Sequence, residues 1–305
     1  MKNKVVEIFV KVDDFCIECE SEIRRNLIEN NQQKKRNRKA KLSESEIIAI
    51  SILFHLGSFR NFKHFYLHYV CEHLGDCFPE LVSYNRFIEL QSKCGIPFML
   101  FVKSCCLGKC TGINYIDSTP LRVCHNRRIH HHKVFANVAE RGHCSMGWFF
   151  GFKLHLIIND KGELMSFYLT KGNVDDRDVK VLTDMTQNVF GKLFGDKGYI
   201  SKALSELLFQ DGIQLITKVR KNMKKKALSD QEKILLRKRA IIETVNDELK
   251  NICQIENTRH RSINGFLFNI LGALAAYSFF PKKPSIKVDF ESKKQQQTKL
   301  ILYAA

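Results

Sequence analysis

The stretch Gly112-Ile113-Asn114-Tyr115-Ile116-Asp117-Ser118-Thr119-Pro120 constrains this chain more than any other. Ile113, Tyr115 and Ile116 make a short, β-prone apolar run, and Pro120 cannot pair inside a central strand, so the run is expected to stop near Asp117. A carboxylate is then left at the end of a buried strand. An uncompensated charge there is costly, and a divalent cation is its commonest partner. A second stretch, Lys192 to Tyr199, again runs from apolar residues into an aspartate, Asp196. Two strand-end aspartates call for a third ligand, and Glu243, in the helical stretch Arg239 to Lys250, is the candidate. At about 100° per residue, Arg239 and Lys250 fall roughly 40° and 20° from Glu243, so two cations share its stripe. A carboxylate for metal, flanked by cations for phosphates, suits phosphodiester chemistry. Asp247, on the same face as Glu243, is the rival third ligand.

Charge points the same way. The 305 residues hold 49 Lys and Arg against 32 Asp and Glu, a net +17, as expected of a partner of polyanions such as double-stranded DNA. Eleven cysteines with no signal peptide read as reduced thiols of a cytoplasmic, nucleoid-associated protein. Cys16-x-x-Cys19 has zinc-like spacing but no second pair follows, and Cys105, Cys106 and Cys110 read as buried thiols. Gly265 to Phe280 is the most apolar segment yet too short for a bilayer, so it is expected to be a buried closing helix.

Along the chain, residues 1–110 read as helices, with a basic linker or arm near 31–41. Ser43-Glu44-Ser45-Glu46 is a capping box, Gly57 ends its helix, and Phe59 to Val70 makes another. Val82 to Leu90 enters a short helix on which Asn85 and Arg86 could reach bases or phosphates, as in a helix-turn-helix reader; a plain helical bundle explains the pattern equally well. From Gly112 strands alternate with helices. Trp148–Ile158 and Glu163–Thr170 form a hairpin around Asn159-Asp160-Lys161-Gly162, followed by helix, strand, helix, the strand Ile213–Val219 and the long helix carrying Glu243. Between them Arg127, Arg128, His130 and Lys133 make a phosphate-facing loop. Asp175, Asp176 and Asp178 are rival metal ligands that, standing before a helix, read rather as its caps, and Trp148 reads as a rim residue packing the sheet rather than a base-stacking platform.

With Asp117, Asp196 and Glu243 in this order, the chain resembles the DDE transposases of bacterial insertion sequences. Arg239, Glu243 and Lys250 are spaced like the R-E-K part of that family's tyrosine-arginine-glutamate-lysine signature; Leu236 stands where the tyrosine would. The runs IDSTP, CHNRRIHHHKVF, GWFFGFKLHLIINDKGEL, GNVDDRD and GDKGY are similar to the group numbered nine-eight-two. The resemblance implies a ribonuclease H-like mixed sheet flanked by helices over residues 111–280, after an all-helical, DNA-binding part over 1–110 and before a polar tail over 281–305. It implies two Mg²⁺ ions, with Mn²⁺ able to substitute, bridged by Asp117 and completed by Asp196 and Glu243. The activity it implies is cleavage at element ends and strand transfer into target DNA by a homo-oligomer, a dimer on DNA. A nuclease that does not join strands and a non-catalytic repressor are the alternatives.

Overall fold

Side chains alternate along a strand, and around Asp117 that alternation sorts two apolar layers. Tyr115 and Leu121 lie on one face of β1 (Ile113–Cys124) and Ile116 on the other, each in a separate buried cluster. β1 is central in a six-stranded sheet with β2 (Glu140–Cys144), β3 (Gly147–Asn159), β4 (Leu164–Lys171), β5 (Gly191–Gly195) and β6 (Ile213–Thr217). Strand order is β2-β3-β1-β5-β6, with β4 also on β3. β1 runs antiparallel to β3 and parallel to β5, and β5 parallel to β6, so the sheet is mixed and its order is consistent with the ribonuclease H-like expectation. The computed structural model describes residues 2–29, 41–57, 59–218, 222–223, 227–256 and 260–286; the basic linker, apart from Lys41, and most of the polar tail lie outside them.

The helices before the sheet are α1 (Lys2–Glu29), α2 (Glu44–Leu56), α3 (Phe62–His64), α4 (Cys71–His73), α5 (Tyr84–Gln91) and α6 (Gly95–Cys105). A π turn, Phe65–Val70, joins α3 to α4. The capping box forms as expected: Glu46 N–H donates to Ser43 Oγ at 3.1 Å, and Ser43 N–H to Glu46 Oε2 at 2.7 Å. After the hairpin come α7 (Val179–Thr186), α8 (Lys202–Gln210), α9 (Asp230–Arg237), α10 (Ala240–Asp247) and α11 (Ile263–Ser278). α11 packs on α2 and α6 and shares one apolar core with Tyr115, Leu154, Leu156 and Phe194 of the sheet. On the opposite face Ile116, Ile157, Leu193 and Leu215 pack with residues of α7 and α8. Among the described residues no helix is long and apolar enough to cross a membrane, and all eleven cysteines are free thiols.

Four expectations need correction. β1 does not stop near Asp117 but continues to Cys124. Its pairing with β5 ends at Tyr115, whereas its pairing with β3 goes on, and the Pro120 carbonyl bonds Lys250 rather than β3. Pro120 therefore turns its missing N–H toward the edge that β5 has left, where a ladder needs no donor. The long helix is broken between α9 and α10 and ends in a π turn, Glu248–Ile252. β2, which pairs with the start of β3, was not anticipated. β6 ends at Thr217, and Val219 lies outside the described residues.

Candidate active site

β1 and β5 pair from Ile113 and Lys192 to Tyr115 and Phe194. Two residues beyond that last pair come Asp117, still within β1, and Asp196, just past the end of β5, so the aspartates stand where the two strands part. Crevices at the carboxyl ends of parallel strands are where open α/β sheets bind ligands. Beneath them the rings of Tyr115 and Phe194 stack at 5.4 Å and keep that floor dry.

Asp117 faces α10. Asn246 Nδ2 donates to its Oδ2 at 3.2 Å, and an Arg239 guanidinium nitrogen lies 3.9 Å from its Oδ1. The side chain is only 21 % exposed. Burial pushes its pKa up to about 7; Arg239 and the Ser118 backbone N–H pull it down, and Asp196 and Glu243 push it up again. The three carboxylates thus sense one another. Asp196 begins the turn Lys197–Tyr199, and its Oδ1 accepts the Gly198 N–H at 2.6 Å. A Cβ on Gly198 would come within 2.8 Å of that oxygen, so glycine keeps the carboxylate uncrowded.

Glu243 is 57 % exposed and accepts a hydrogen bond from Arg239 at 2.5 Å. Arg239 therefore stands between Glu243 and Asp117. Among the described residues no three Asp, Glu, His or Cys side chains converge closely enough to hold a metal ion. By donor chemistry the residues fit a hard divalent cation: three carboxylates, one of them in a site that penalises its lone charge. Asp247, the rival of Glu243, is exposed and accepts from Asn251 at 2.5 Å.

Lys250 is partly buried and braced to β1. Its ammonium donates to the Pro120 carbonyl at 3.0 Å and lies 3.6 Å from Glu256, which in turn accepts the Arg122 N–H at 3.0 Å. The π turn that carries it is wider than an α turn, so the simple 100° arithmetic does not extend to this position. Leu236 lies in the apolar core, and the Tyr115 hydroxyl is 3.4 Å from the Leu235 carbonyl.

Arg127, Arg128 and His130 lie exposed on a 3₁₀ turn, Asn126–His131, with exposed Lys133 beyond it. Asn85 and Arg86 are exposed on α5, and Arg86 already pairs with Glu89 at 2.8 Å. Trp148 does not pack the sheet: it is 65 % exposed and stands edge-on to His143. It lines an open groove of ≈ 470 Å³ with Arg141, Lys153, Asp176 and Gly198. Asp178 does cap α7, accepting the Val181 N–H at 3.0 Å, while Asp175 holds Arg177 and Asp176 has other partners. Asn246 was missed, although an amide three residues after Glu243 falls near its helical stripe; Asp176 was singled out but read as a cap, and nothing local marks its partners Ser118 and Lys153.

Residues 107–263, just over half of the chain, match a family described as a transposase DDE domain. No curated protein matches the chain.

Proposed function

This chain belongs to the family of transposase DDE domains, and on that premise we propose that it cuts DNA at the ends of an insertion sequence and joins the freed ends to target DNA. The observation that carries this reading is the position of Asp117 on β1 and Asp196 just past β5 where these parallel strands part, with Arg239, at the N-terminal cap of α10, linking Asp117 to Glu243 on that helix. The net charge of +17 supports a polyanionic substrate. Within the family, the runs around Asp117, Trp148 and Asp196 are similar to those of the group numbered nine-eight-two, and that similarity supports placing the chain there in this reading.

In this reading Asp117, Asp196 and Glu243 hold two Mg²⁺ ions. Bound there, the ions supply activation of the attacking oxygen and neutralisation of the charge that develops on the scissile phosphate. The chain's own residues do the rest. Asn246 fixes the Asp117 carboxylate, and Arg239 exchanges Glu243 for a DNA phosphate, which a guanidinium holds in a two-pronged grip. Arg127, Arg128, His130 and Lys133, beyond the end of β1, track the DNA backbone, with Lys250 holding a further phosphate, and Asn85 and Arg86 contact DNA from residues 1–110. In this reading the working form is a homo-oligomer, a dimer on DNA, as the family resemblance implies.

The test uses linear DNA that carries the sequences flanking this reading frame, the full-length protein, Mg²⁺ and a target plasmid. The proposal expects both cut ends and joined products. Cutting without joining would make it a nuclease, and binding without cutting would make it a repressor.

A further inference from the structure

Asp176 was expected to cap a helix, yet that task falls to Asp178. Instead, one oxygen of Asp176 accepts two hydrogen bonds, from Ser118 Oγ at 2.8 Å and from Lys153 Nζ at 3.0 Å. Lys153 is only 13 % exposed and also donates to the Val174 carbonyl at 2.7 Å, so the pair is fixed in place rather than a mobile surface contact. Ser118 follows Asp117 and points to the other face of the sheet. Its backbone N–H lowers the Asp117 pKa, and its side chain bonds Asp176.

The location gives this contact its meaning. At Asp117, β1 has lost β5 on one side and keeps only β3 on the other. α10 holds the Asp117 carboxylate on one face through Asn246; Asp176 holds the neighbouring residue on the opposite face. Tyr199, three residues after Asp196, is fully buried on the same face as Ser118, and burial above all, then the Asp176, Asp117 and Asp196 carboxylates, hold its hydroxyl in the protonated form. Across the strand from Ser118, His155 is buried and bonded to Thr170, and burial lowers its pKa to about 4, which keeps it neutral. The Asp176–Lys153 pair is therefore the charged anchor of this face.

We propose that Asp176 is a positioning residue of the candidate active site: paired with Lys153, it anchors Ser118 behind β1 and so holds Asp117 at the spacing from Asp196 that a divalent cation requires. The inference rests on the reading of Asp117 and Asp196 as cation ligands. Outer partners that orient a ligand commonly cost about 10- to 100-fold in metal affinity when removed.

The test is calorimetric titration of the full-length protein with Mn²⁺, beside its thermal melting curve, for the wild type, Asp117→Asn, Asp176→Asn and Ser118→Ala. Asp117→Asn should abolish binding. Asp176→Asn and Ser118→Ala should each weaken it about 10- to 100-fold with little change in melting temperature. The double variant should be no worse than the weaker single, because both act through one contact. Ser118→Ala removes one hydroxyl and decides the matter alone if Asp176→Asn does not fold. Unchanged Mn²⁺ affinity in both, or a lowered melting temperature at full affinity, would overturn the inference while leaving the functional reading standing. A wild type that binds no Mn²⁺, or an Asp117→Asn that binds as well as the wild type, would overturn both.

Discussion

Replacing Asp117 with asparagine should stabilise the protein at pH 8 in EDTA, although it removes a residue assigned to the active site. Burial raises the Asp117 pKa from 3.8 to about 7. Below pH 3.8 both folded and unfolded chains hold the proton, and the carboxyl costs nothing. Between 3.8 and 7 the unfolded chain releases a proton that the folded chain keeps, so stability falls as pH rises; above 7 the whole penalty is present. At about 1.4 kcal/mol per pH unit the interval amounts to about 4 kcal/mol, a ceiling because the side chain is still partly exposed and the site can relax. At about 2 °C per kcal/mol for a chain of this size, the variant should melt up to roughly 8 °C higher at pH 8 and within a degree or so of the wild type near pH 4. Melting curves in EDTA across that range would measure it. Saturating Mg²⁺ should then raise the wild type and leave the variant alone, since a ligand stabilises only the form that binds it. A variant that melts lower than the wild type at pH 8 in EDTA, or a difference that ignores pH, would refute the reasoning. It would mean that Arg239 compensates the buried charge more than burial penalises it.

Three further outcomes are expected. Asp117→Asn, Asp196→Asn and Glu243→Gln should each abolish DNA cleavage and leave DNA binding largely intact in a gel-shift assay, because an amide keeps the shape and loses the charge that holds a hard cation. Cleavage should need Mg²⁺ or Mn²⁺, run poorly with Ca²⁺ and stop in EDTA; full turnover in EDTA would exclude a metal-dependent reaction. Lys250→Ala removes the donor to the Pro120 carbonyl as well as a proposed phosphate contact, so it should lower the melting temperature and reduce the slope of log affinity against log salt by about one. An unchanged slope would assign Lys250 to the fold alone.

The parts of this fold that local rules govern were legible in the sequence. The Ser43 capping box, the Gly162 turn and the hairpin around it depend on residues within a few positions of one another, and they form as read. Asp196 follows the apolar run of β5 directly and opens a turn, as its local sequence suggests, whereas Asp117 lies inside β1 and not at its end. What was not legible depends on partners distant in sequence. Whether Pro120 ends a strand is decided by which neighbour β1 retains, and that neighbour, β3, begins more than twenty residues later. Asp176 has the local look of a cap and finds Ser118 and Lys153 only after the sheet forms. The break before α10 and the π turn after it leave the Arg239–Glu243 pair in register and change the setting of Lys250. A periodicity that assumes one uninterrupted α-helix cannot anticipate that.

The central claim is that Asp117, Asp196 and Glu243 surround one metal centre. The most direct measurement replaces Mg²⁺ with Fe²⁺ in the full-length protein on DNA, adds ascorbate and peroxide, and maps where radicals formed at the metal cut the polypeptide. The account predicts cuts close to all three residues, competed away by Mg²⁺ and lost in Asp117→Asn. Cuts confined to the Asp175–Asp178 turn, or near Asp247 with none near Glu243, would contradict it.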